Sequence, residues 1–109
     1  MTDHIHKLRA LACIDRRSHD FRPDFKAYLL ENWHVFLEFE RRALQVAGRR
    51  DHYSARTLIE VMRHDSVIGE LNGDYKITNN VVPDFARLFA ALNPMHAGLF
   101  EFREHKAAA

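Results

Sequence analysis

Apolar positions along this chain recur mainly at helical spacing, and the most consistent run lies between Tyr75 and Leu92. Val81, Val82, Phe85, Leu88, Phe89 and Leu92 fall three and four residues apart on one helix face, and Pro83 stands in the first turn, where its missing N–H costs little. Asn79 or Asn80 is the expected cap, through a side-chain oxygen, and Asn93-Pro94 the stop. Upstream, Tyr75 and Ile77 alternate with Lys76 and Thr78 as in a half-buried strand. An aromatic run opens at Pro23 with Phe25, Tyr28, Leu29, Trp33, Phe36, Leu37 and Leu44; Asn32 is predicted to divide it into two helices and Gly48 to end the second. Ala55, Leu58, Ile59 and Met62 form the buried face of a further helix, capped by Asp51 or Ser54 and ending near Asp65 or Ser66.

Two signals call for a sheet. Asn72-Gly73 suits a two-residue hairpin, which would pair Val67–Leu71 with Asp74–Thr78, and Leu99–Arg103 alternates as a last strand beside it. The predicted class is therefore mainly α with a small β-sheet, an α+β fold in a winged-helix-like arrangement. Ile5, Leu8, Leu11 and Ala12 make a brief helical stripe, and the charged run Asp15–Arg22 reads as a linker. Residues 1–22 are expected to form an N-terminal arm or docking helix, residues 23–106 one α-rich domain, and residues 107–109 a tail.

Length and composition agree with one domain. A chain of 109 residues, 47% hydrophobic and 28% charged, buries roughly two-thirds of its unfolded surface, enough for one core. The net charge is only +1, so any nucleic-acid site must be local. Twelve of the sixteen basic residues are Arg; Arg grips planar carboxylate and phosphate groups, although codon usage produces the same bias. The single cysteine, Cys13, excludes an internal disulfide and fits a reducing compartment. Neither a membrane-length apolar run nor the apolar core of a secretion signal is present. The expected location is the cytoplasm.

The pattern Trp33-x-x-Phe36, Ala43, Gly48, Tyr53-Ser54-Ala55-Arg56, Arg63, Lys76-Ile77-x-Asn79-Asn80, Ala86-Arg87-Leu88-Phe89, Pro94 and Gly98-x-Phe100-x-x-Arg103 resembles a group of small uncharacterised proteins of bacteria and their phages. The resemblance spans about residues 33 to 103. That group usually carries a third Asn where this chain has Thr78, and Phe where it has Tyr75. No known activity comes with the resemblance; it implies a phage or mobile-element setting, with DNA handling, gene regulation or interference with a host system as its context.

The functional expectation is a non-enzymatic binding or regulatory protein. Between Arg41 and Arg56 lie five Arg and one acidic residue, so Arg41, Arg42, Arg49, Arg50 and Arg56 are the candidate phosphate contacts. Asn79, Asn80 and Arg87, at and near the start of the Val81–Leu92 helix, are the candidate readers of base edges. Against this, that helix carries only Asp84 and Arg87 as charged residues, spaced to pair with each other, and reads more simply as a buried core helix. The alternative is a protein-interaction module, as homodimer or inhibitor of a host protein, for which the aromatic content would serve an interface. No cofactor is expected. His4-x-His6, Cys13 and His19 are too irregular for a zinc finger, Glu38 and Glu40 point to different helix faces, and no phosphate loop or nucleophile motif occurs, so neither metal nor catalysis is expected.

Overall fold

The computed structural model describes residues 2–67 and 77–100. Within them the chain forms α1 (Thr2–Arg16), α2 (Phe25–Glu31), α3 (Trp33–Ala47), α4 (Ala55–Val67) and α5 (Val81–Leu92), with short 3-10 turns at Ser18–Asp20 and Pro94–His96. Asn32 divides α2 from α3, its Nδ2 donating to the Tyr28 carbonyl at 3.0 Å. Gly48 closes α3. The Ser54 hydroxyl accepts from the Thr57 N–H at 3.1 Å, a side-chain cap for α4.

Helix α5 lies at the centre. Val81, Val82, Phe85, Ala86, Leu88 and Phe89 are all buried, and α1, α3 and α4 pack around it. Phe85 carries the densest aromatic contact, its ring 5.3 Å from those of Phe36 and Phe39 and about 6 Å from those of Phe25 and Tyr28. Phe100 continues the cluster against Phe39 and Phe89. From the N-terminal segment, α1 contributes Ala10, Cys13 and Ile14 to the same core.

The expected α+β, winged-helix-like class is corrected: among the described residues no strand forms. The only β-type pairing there is an isolated parallel bridge between Tyr53 and Phe100. The physical reason lies in who satisfies the backbone. Ile77 is buried as an alternating strand residue should be, but its carbonyl accepts from Arg63 Nε at 3.0 Å and Nη2 at 2.6 Å, where a sheet would supply a neighbouring strand. Leu99 and Phe100 likewise bury their side chains on leaving the last turn, and the Leu99 carbonyl accepts from the Tyr53 N–H at 2.8 Å. Val67, expected to open the hairpin, is the last residue of α4 and 84% exposed. The Asn72-Gly73 turn, Tyr75, Lys76 and the last strand's residues 101–103 lie outside the described residues.

Candidate functional site

The structure distributes the eight sequence-predicted residues over three places. Arg41 and Arg42, on α3, both donate to the Glu38 carboxylate, and Arg42 Nη1 crosses to Asp65 on α4 at 2.6 Å. The hydrogen bond from Arg41, reinforced by Arg42, holds Glu38 below the usual carboxylate range; burial works to lower the Arg42 pKa, but its bonds to Glu38 and Asp65 raise it. Arg42 is therefore a clamp between two helices, with little left to offer a ligand. Arg49, Arg50 and Arg56 are different: all three are exposed at the α3–α4 corner and make no ion pair among the described residues. That corner is held by Tyr53 against Leu99 and by His52 Nδ1 against the Gly98 carbonyl at 3.1 Å.

Asn79, Asn80 and Arg87 come together elsewhere. Arg63 Nη2 donates to Asn79 Oδ1 at 3.1 Å, which places the start of α5 beside the second half of α4. Seven residues of helix, roughly 10 Å, separate Arg63 from Arg56 at the arginine corner. Neither Asn caps α5 through its side chain, contrary to expectation; the first N–H groups instead bond in a tight turn to the Thr78 and Asn79 carbonyls. Asn79 and Asn80 are thus left at the mouth of a groove.

This groove runs between α5 and the segment from Arg17 to Arg22. Its larger part, about 630 Å³, is lined by His19, Arg22, Asn79, Asn80, Asp84 and Arg87 among others. A second part of about 370 Å³ continues along α5 past Ala90, Ala91 and Pro94, with Arg17 on its rim. Asp20, Phe21 and Arg87 border both. Both parts carry guanidinium groups on their walls, Arg87 on each, Arg22 on the larger and Arg17 on the smaller. No family model, no curated protein and no solved structure matches this chain.

Asp84 is the unusual member. Its side chain is 1% exposed and neither carboxylate oxygen makes a hydrogen bond of full geometry, although the Arg22 backbone N–H acts on the group. Arg87 Nη1 stands at 3.6 Å, beyond hydrogen-bonding reach. Burial pushes the Asp84 carboxyl above its ordinary range, while the Arg22 backbone N–H and the charges of Arg87 and Arg22 oppose the shift without cancelling it. The folded state consequently holds the Asp84 proton more tightly than the unfolded chain. This stabilising contribution is complete below about pH 3.9, the unfolded value, and is lost as pH rises through the raised folded value. Asp84→Asn should accordingly be more stable than the parent at neutral pH, by about 1–3 kcal/mol. Urea unfolding from pH 3 to pH 8 checks this: the gap between the two proteins should widen with pH, and a constant gap would refute the assignment.

Sequence reasoning passed over the near wall, because Asp15–Arg22 read as a linker. The spacing of Asp84 and Arg87 predicts that they pair, and the structure sets them 3.6 Å apart, but that spacing does not predict that Asp84 is buried. The signal was there in part: Asp84 stands three residues after Val81 and four before Leu88, in register with the apolar face of the helix. Elsewhere, Glu40 is buried on α3 and accepts from His6 Nε2 of α1 at 2.6 Å and from Asn93 Nδ2 at 2.9 Å. With His6 beside Trp33 at 5.5 Å, this network ties α1, α3 and the end of α5 together. Burial also pushes the Tyr28 phenol up to about 12, against the opposing charge of Arg63. Among the described residues no group of three His, Cys, Asp or Glu is placed to hold a metal, and no helix is long and apolar enough to cross a membrane.

Proposed function

We propose that the protein is a small non-enzymatic binding protein, of phage or mobile-element setting, that holds nucleic acid through the arginine corner. The observation that carries this reading is that Arg49, Arg50 and Arg56 are exposed together without ion-pair partners among the described residues, whereas Arg41 and Arg42 close on Glu38 and Asp65. Unpaired guanidiniums on one corner present the fork geometry that phosphate oxygens accept. With a net charge of only +1, such attraction rests on a local cluster of this kind.

Fluorescence anisotropy of labelled duplex and single-stranded oligonucleotides across a salt series tests it, with Arg49, Arg50 and Arg56 all changed to Ser. The parent should bind more weakly as salt rises, and the triple variant should lose about 2 to 3 from the logarithmic salt slope, near one per phosphate contact removed. Absence of binding at low salt, or equal slopes for the two proteins, would overturn the reading.

One observation favours the protein-interaction alternative. Ile5 and Leu8, one turn apart on α1, are 58% and 52% exposed, with exposed Ala12 a further turn on. A sedimentation run showing dimers that dissociate in Leu8→Glu would support it.

A further inference from the structure

The groove beside α5 has a chemical character that the arginine corner lacks, and it does not depend on that corner. We propose that it binds a guanine nucleotide, with Asp84 accepting the two adjacent N–H groups of the base and Arg87, aided by Arg17, holding the phosphate.

The inference starts from Asp84. A buried carboxylate whose oxygens make no hydrogen bond of full geometry, helped only in part by the Arg22 backbone N–H, is costly, and the cost is relieved by a ligand presenting donors to both. A cationic ligand is disfavoured, because Arg22 and Arg87 line the same groove and already supply positive charge. The remaining class is a neutral pair of adjacent N–H donors. Among the nucleobases guanine has that pair, N1–H and N2–H₂, whereas adenine turns an acceptor nitrogen toward the same position and would be repelled. The neighbouring asparagine extends the match. Asn79 Oδ1 already accepts from Arg63, which leaves its amide N–H₂ as a donor suited to guanine O6.

The walls fit the rest of such a molecule. Adjoining spaces of about 630 and 370 Å³ are of the size that small-ligand sites occupy. Phe21 and the Ala90, Ala91 and Pro94 surface supply apolar contact along the second part. Arg17 has no ion pair among the described residues, and Arg87 is one-third exposed and held to Asp84 only by the 3.6 Å contact. That contact is weak enough to exchange. As the phosphate draws the Arg87 guanidinium outward, the base edge takes its place against the carboxylate, so that both charges gain hydrogen bonds they lack in the empty groove.

Isothermal titration calorimetry on the full chain tests the proposal with guanosine, adenosine and xanthosine monophosphates and with a short single-stranded oligoadenylate, with and without one guanosine. The parent should prefer guanosine over adenosine monophosphate by about tenfold or more. Asp84→Asn should weaken guanosine monophosphate by roughly ten- to a hundredfold and raise the affinity for xanthosine monophosphate, since a carboxamide N–H₂ donates to the xanthine O2 while its oxygen still accepts N1–H. This exchange of preference also shows the variant to be folded, and a merely structural Asp84 would not produce it. Arg87→Ala should weaken guanosine and adenosine monophosphates together. If the guanosine oligonucleotide binds more tightly than the mononucleotide, the natural source is a strand; if the two are equal, it is a free nucleotide. Both results uphold guanine recognition. Equal affinity for guanosine and adenosine monophosphates, no binding of either, or an Asp84→Asn protein with unchanged preference would overturn it. The Arg49, Arg50 and Arg56 variant should keep its guanosine monophosphate affinity, so failure at the corner and failure in the groove are separately readable.

Discussion

Phe85→Ala should lower the unfolding free energy by about 3–5 kcal/mol, which is a large part of the roughly 5–15 kcal/mol available to a domain. Phe85 is fully buried and its ring meets aromatic side chains from both α2 and α3, with Phe25, Tyr28, Phe36 and Phe39 all within 6.0 Å between centroids. Truncation removes the transfer energy of the ring and leaves a cavity at the junction of three helices, lined by rigid groups that collapse poorly into it. The aromatic pairs themselves add to the loss, since each edge-on or tilted contact is worth about 0.5–1.5 kcal/mol beyond area. Chemical denaturation monitored by the far-ultraviolet helix signal checks this. The midpoint should fall sharply at an unchanged slope, and a loss below about 1 kcal/mol would contradict the central place given to α5.

Glu40→Ala should cost about 2–4 kcal/mol, through a different mechanism. The carboxylate accepts from His6 at 2.6 Å and Asn93 at 2.9 Å while nearly buried. Without it, the Asn93 amide retains the Phe89 carbonyl at 3.1 Å, but the His6 ring loses its partner beside Trp33. The result is an unmade hydrogen bond in a partly dry site together with a small cavity. Glu40→Gln keeps an acceptor for one of the two donors and should lose less than half as much. A double-mutant cycle of Glu40→Ala with His6→Ala isolates the pair: the two effects should fall short of additivity by at least about 1 kcal/mol, and strict additivity would show that the contact contributes nothing.

The helical part of this protein was legible because helices are encoded locally. The spacing of Phe25, Tyr28 and Leu29, the break at Asn32, the stop at Gly48 and the cap at Ser54 each state a boundary within a few residues of sequence, and α2, α3 and α4 follow them. The β expectation failed for a reason equally specific. Ile77, Leu99 and Phe100 are apolar because they reach the core from turns and helix ends, and a short alternation cannot distinguish that from a strand. Whether such a segment pairs depends on a neighbour. Here the neighbour of Ile77 is the Arg63 guanidinium, fourteen residues away in sequence.

The candidate sites divide along the same line. Sequence alone determined the charge density between Arg41 and Arg56 and the Asn79-Asn80 pair ahead of a helix, because composition and order are local properties. Only the tertiary structure decided which of those arginines remain available. Glu38 is a turn away on α3 but Asp65 is on α4, so the sharing of Arg42 between them awaits the packing of two helices. It likewise decided that Arg17 and Arg22, sixty-five or more residues before Arg87 in the chain, frame one groove with it and with Asp84 buried in the wall. Burial and partnership depend on long-range contact, and an acid's environment is set by whatever the fold brings beside it.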